Sequence, residues 1–300
     1  MAGTTTDDAM AIRRAARRGL AVFLPLVIVL SGVVEAWVIL SPDRAILGIA
    51  LLMCCPAVAS IVTRLVLREG FADVSFRLGG ARALPWYAVA VLLPFVVGAL
   101  AYGAAAAVGL IGFTGGAVGV VVALGGVFLL SLPSSLVLAA GEEIGWRGYL
   151  LPRMVDAGAP APLLLTGLIW SAWHLPLVLA GLYIPGGSLA LTVALFVVSA
   201  TSISFVLARM RLATGSVWTA VVAHGVWNAV IQGPFDSAAT GEQATLWVGE
   251  AGVFTAVVLV VVAVVITRGR AGRTRVELGR RPGETGRPGA PAPDAGAVSA

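Results

Sequence analysis

The sequence predicts an all-α, polytopic membrane protein of about eight transmembrane helices. Three observations point there. The 300 residues are 59% hydrophobic and only 12% charged, with a mean hydropathy of +0.97, far outside the range of a soluble globular domain. Apolar runs recur at the length of about 20 residues that a bilayer requires. The arginines fall on alternate connections between those runs.

Taken in order, the predicted spans are 20–41, 45–67, 86–108, 117–141, 162–180, 189–208, 215–232 and 246–267. The fourth is expected to continue as helix to about Leu151, where Pro152 disfavours continuation. Arg13, Arg14, Arg17 and Arg18 precede span 1; Arg64, Arg68, Arg77 and Arg82 surround the loop between spans 2 and 3. Arg147 and Arg153 follow span 4, Arg209 and Arg211 follow span 6, and a basic tail follows span 8. The alternate connections carry only Arg44, so eight helices with both termini in the cytoplasm satisfy the positive-inside pattern.

The expected organisation is a cytosolic N-terminal tail at 1–18, a transmembrane domain at 19–267 and a disordered basic tail at 268–300. The first apolar segment is too long for a signal-peptide h-region and lacks a clear cleavage site, so an uncleaved span is expected. The net charge of +5 comes with twenty basic residues, all arginine, seven of them after Thr267. They describe membrane orientation and a tail that touches lipid, and no aromatic–basic interleaving suggests nucleic acid. Cys54 and Cys55 are adjacent in an apolar run and read as core or lipid-facing fillers. No internal repeat supports an inverted-repeat transporter.

Ionisable groups inside spans are costly and mark functional candidates. Glu35 and Arg64, near the ends of spans 1 and 2, read as snorkelling residues or as residues with a partner near the interface rather than as chemistry. The stretch Ala139–Leu150, AAGEEIGWRGYL, differs: it places Glu142, Glu143 and Arg147 at the end of span 4. Glu143 and Arg147 are an i,i+4 pair with the acid N-terminal, the favoured order, which leaves Glu142 pointing elsewhere. A helix-end ion pair with a spare acid facing the cytosol is the simplest alternative.

The only two histidines also fall in spans, His174 in WSAWH and His224 in HGVWN, with Asn228 one turn beyond on the same face. At 1.5 Å per residue, Glu142, His174 and His224 lie at a similar depth of about 13–18 Å from the arginine-rich side. Three helices therefore bring Glu, His, His and Asn to one level. The small or polar Gly141, Ser134, Ser135 and Ser171 would leave room there for water.

These motifs resemble the signature of the CPBP family of CAAX proteases and bacteriocin-processing enzymes, also called Abi or type II CAAX prenyl endopeptidase-like proteins. Its EExxxR pattern is similar to Glu142–Arg147, its aromatic-xxxH pattern to Trp170–His174, and its HxxxN pattern to His224–Asn228. Trp170 stands where phenylalanine is common. The resemblance covers about residues 120–232. It implies an intramembrane endopeptidase of a bacterial plasma membrane, with a cavity reached from the cytosolic side. On that resemblance, Glu142 with His174 activates water, His224 and Asn228 stabilise an oxyanion, and Glu143 and Arg147 hold the helix and tune the site.

Glu142, His174 and His224 could also furnish three ligands to zinc or another divalent metal, leaving a fourth position for water. HExxH is absent and the three come from separate helices, which favours a reaction with no required cofactor. The implied partners are the bilayer and a peptide or membrane-protein substrate. An inactive binding or immunity protein of the same fold and a proton-relaying transporter are the competing readings; substrate identity and oligomeric state are not encoded legibly.

Overall fold

A computed structural model describes residues 6–182 and 188–268. The expected disordered tail lies, beyond Arg268, outside the described residues. Eight principal helices occupy the eight apolar stretches: α1 Thr6–Leu40, α2 Ala45–Leu67, α3 Leu84–Ala107 and α4 Gly116–Gly145. A short α5, Leu151–Asp156, prolongs α4; then come α6 Pro162–Leu179, α7 Leu189–Thr214 and α8 Trp218–Val230. After the short α9, Asp236–Ala238, and α10, Ala244–Trp247, α11 spans Val253–Arg268. The helices α1, α2, α3, α4–α5, α6 and α7 give six segments long and apolar enough to cross a membrane, which makes this an integral membrane protein. The other two predicted spans are shorter helices, α8 with 13 residues and α11 with 16. Residues 6–18, expected as a tail, form the first turns of α1.

The helix α4 lies between α2 and α8. In turn α8 packs on α3 and α7, α6 pairs with α7, α1 with α2, and α11 closes the bundle against α7 and α3. Two-residue strands, β1 Gly112–Phe113 and β2 Ala239–Thr240, pair antiparallel with Gly112 opposite Thr240 and tie the α3–α4 connection to the segment after α8.

Helix contact in a bilayer depends on small residues that let backbones approach. A Cβ on Gly141 would stand 2.7 Å from the Met53 carbonyl oxygen, and one on Gly145 would stand 2.4 Å from Pro56 Cβ. Both distances are too short for a side chain, so the GEEIG stretch is the seam between α4 and α2. Gly141 is therefore consumed by packing and leaves no room for water. Ser171, likewise expected near water, is tied to the Gly167 carbonyl at 2.8 Å and to Thr201 at 3.1 Å.

The end of α4 departs from expectation. The helix does not stop near Leu151 but passes through a π turn at Trp146–Leu150 and continues as α5 to Asp156. Pro152 has no N–H to offer the Gly148 carbonyl four residues back. Arg64 from α2 supplies the missing donor, its Nη2 lying 2.9 Å from that oxygen. A proline in a membrane helix is tolerated when a neighbour satisfies the released carbonyl in this way.

Arg64 consequently does not snorkel. It is 1% exposed, donates to the Gly70 carbonyl at 2.7 Å, pairs with Asp73, and lies over the Tyr149 ring. Arg153 bridges Asp73 and Glu69, and Arg211 donates to the Asp73 carbonyl at 2.8 Å. Burial raises the Asp73 carboxyl, but the Arg64 hydrogen bond and the charges of Arg153 and Arg64 outweigh it and hold this acid below its ordinary value. The arginine-rich end thus carries a largely buried ion network. Glu35 is also buried rather than snorkelling, with Oε1 unpartnered.

Candidate functional site

Glu142 lies near the end of α4, fourteen residues before the end of α5 at Asp156. It is 1% exposed, and its Oε2 accepts the Trp170 indole N–H at 2.6 Å. Trp170 comes from α6, which packs against α7 through Gly167, where a Cβ would stand 3.1 Å from the Thr201 side chain and carbonyl oxygen. The indole is the hub of the site. Its edge meets the His174 ring at 5.2 Å and the His224 ring at 5.4 Å, and the Arg147 guanidinium lies 4.7 Å from its centroid.

His174 Nδ1 lies 2.9 Å from the Trp170 backbone carbonyl. A carbonyl only accepts, so Nδ1 carries the hydrogen and Nε2 is the basic nitrogen of the neutral ring. His224 Nδ1 lies 2.9 Å from Glu143 Oε1, and Arg147 Nη1 donates to that same oxygen at 2.7 Å. Arg147 Nη2 donates to Ser204 Oγ on α7 at 2.8 Å. Glu143 and Arg147 are both 0% exposed, so the i,i+4 pair read from the sequence is formed but lies in the protein interior, not at a cytosolic helix end.

With both carboxyls ionised and His224 doubly protonated, the charges of Glu142, Glu143, Arg147 and His224 sum to zero. Charge balance matters in a region where an uncompensated ion costs several kcal/mol.

A cavity of about 80 Å³ adjoins these groups. That is enough for several ordered waters, each of which needs about 10–15 Å³. Glu142, Trp170, His174, His224 and Asn228 all line it. The structure therefore brings the four predicted catalytic residues to one cavity, while Glu143 and Arg147 do not line it. Neither Gly141, Ser134, Ser135 nor Ser171 lines the cavity. Its walls run instead toward Ile49, Leu177, Phe196, Gln232 and Glu250, each near the arginine-poor end of its segment.

Among the described residues, no group of three or more His, Cys, Asp or Glu side chains is arranged to hold a metal ion. Glu142, His174 and His224 each direct one polar atom to a protein partner: the Trp170 indole, the Trp170 carbonyl and Glu143.

Two contacts were missed by sequence reading. Ser204 carried no signal, being one serine among four hydroxyl residues in SATSIS. The Trp170 N–H had one: tryptophan standing where phenylalanine is common adds a donor, and a buried indole N–H usually finds an acceptor.

Fold and site together define an all-α integral membrane protein with a buried acid–imidazole centre beside a water-sized cavity. Residues 124–230 match the family model described as type II CAAX prenyl endopeptidase Rce1-like. The match includes all three motifs and agrees with the resemblance drawn from them. No curated protein matches the chain.

Proposed function

We propose that the protein is an intramembrane endopeptidase in which Glu142 and His174 activate water and His224 and Asn228 bind the oxyanion. The observation that supports this most is the convergence of those four residues, from α4, α6 and α8, on one cavity. Trp170 holds one oxygen of Glu142, leaving Oε1 to take a proton from water, with His174 Nε2 orienting it. The resulting hydroxide adds to the scissile carbonyl carbon. His224, as an imidazolium balanced by Glu143, donates Nε2–H to the oxyanion, and the Asn228 amide donates a second bond. The tetrahedral intermediate collapses with cleavage of the C–N bond. The proton held by Glu142 passes to the departing amine.

The substrate is a membrane-associated or lipid-modified peptide or protein, and the reaction draws on no cofactor; chelators therefore leave the rate unchanged. The deciding experiment compares newly formed peptide termini in cells carrying wild type or Glu142→Gln at matched membrane levels. Termini present only with wild type support the peptidase. Identical profiles across growth conditions shift the assignment to a binding protein of the same fold.

A further inference from the structure

Asn228 sits two residues before the end of α8, and the backbone beyond it is poorly suited to hold it. Regular helix gives way after Val230 to a π turn over Ile231–Phe235. That turn contains Pro234, which has no N–H to offer a carbonyl of the preceding turn. An amide that must meet an oxyanion has to keep its place to within about 0.5 Å. The end of α8 therefore needs a tie from outside the helix.

Glu250, in the connection between α10 and α11, supplies one. Its Oε1 accepts the Trp227 indole N–H at 2.8 Å and the Gln232 amide N–H at 2.9 Å. Those two residues bracket Asn228, one position before it and four after, and Glu250 lines the same cavity. The carboxylate is itself held in place. Its neighbours Val248 and Ala251 are buried in the core. Gly249 turns the chain at φ +83°, and a Cβ there would stand 3.2 Å from Asp236 Oδ1. Asp236 in turn accepts the Tyr102 O–H from α3, whose ring lies 4.9 Å from that of Phe235.

We propose that Glu250 is a positioning residue for the Asn228 amide: a carboxylate outside the matched segment 124–230 that fixes the last turn of α8 through Trp227 and Gln232. Its effect on rate rests on the peptidase assignment above; its effect on the Asn228 side chain does not. Hydrogen bonds to a charged acceptor are about twice as strong as neutral ones, so this clamp holds more firmly than two amide contacts would. An oxyanion exists only in and around the transition state, so a displaced Asn228 lowers kcat and leaves KM alone.

Asn228 is the single asparagine of the chain, so asparagine carrying 15N in its side-chain amide gives one NH2 pair that reports this residue alone. The test compares that pair by NMR in detergent-solubilised wild type, Glu250→Gln and Glu250→Ala. Glu250→Ala is expected to shift and broaden the pair. Glu250→Gln, whose amide oxygen still accepts the Trp227 N–H, should leave it near its wild-type position. Gln232→Ala, at an exposed residue, removes one tie without touching Glu250 and is read the same way where Glu250→Ala does not fold. A pair unmoved by loss of the tie overturns the proposal, whether or not the protein cleaves peptides. On a substrate identified from the Glu142→Gln comparison, kcat is expected to fall about 10-fold in Glu250→Ala with KM unchanged, short of the about 100- to 1000-fold that loss of an oxyanion donor costs. In an Asn228→Ala background the same change should cost less than about twofold, because the group it positions is gone. Equal losses in both backgrounds, or a loss confined to KM, overturn the proposal.

Discussion

Replacing Trp170 with phenylalanine isolates one atom group of the site. The ring remains to meet His174, His224 and Arg147, but the N–H that reaches Glu142 at 2.6 Å is gone. Hydrogen bonds to charged groups contribute about 1.5–3 kcal/mol, and an acceptor left buried without its donor incurs a similar penalty. Glu142 is 1% exposed, so a substitute donor would have to be water admitted to the cavity. If the bond orients the base in the transition state, each 1.36 kcal/mol removes about a factor of ten. On that scale kcat/KM is expected to fall about 10- to 100-fold in Trp170→Phe. The assay is cleavage of a substrate identified from the Glu142→Gln comparison, with purified protein at equal concentration and matched thermal stability. Unchanged kcat/KM would refute the reasoning and would mean that the acid is oriented without the indole.

Other substitutions probe the supporting structure. Glu143→Gln weakens both the Arg147 and His224 contacts and strands a buried guanidinium, so it should destabilise the protein by about 3–5 kcal/mol, read as a lower unfolding temperature in detergent. Gly145→Ala drives a methyl group into the Pro56 backbone and should lower membrane abundance, whereas Gly103→Ala, with nothing within 4 Å of its Cβ position, should not. Asp73 has a folded-state pKa below its ordinary value, so its contribution is present above the ordinary carboxylate range and lost as pH falls through the folded value. Unfolding temperature should therefore drop at acid pH more in wild type than in Asp73→Asn, and parallel curves would contradict that.

Much of the bundle was legible because membrane helices are written in uninterrupted apolar runs, and arginine placement supplied an independent check on their order. The common level of Glu142, His174, His224 and Asn228 followed from helical rise alone. Contacts across helices did not, because linear spacing says which face a side chain takes but not which helix stands opposite. Glu143 shows this well: its i,i+4 partner Arg147 was visible, while His224, 81 positions later, was not. Arg64 has the interfacial partner that one reading allowed it, but neither it nor Glu35 snorkels. Proximity to a helix end suggests access to water, but the arginine-rich loop folds back over Arg64, and Glu35 turns into the bundle. The helix running past Pro152 escaped notice because the donor that permits it comes from a distant side chain.

The seam formed by Gly141 and Gly145 has a further consequence for how this centre can vary. Those two glycines bracket Glu142 and Glu143, so the residues that set the spacing between α4 and α2 are interleaved with the acids themselves. An axial slip of α4 would move both carboxyls and unseat both glycines at once. The acid pair is in effect keyed to the backbone of Met53–Pro56, and α2, although outside the matched segment 124–230, acts as the fixed rail against which the height of Glu142 is set.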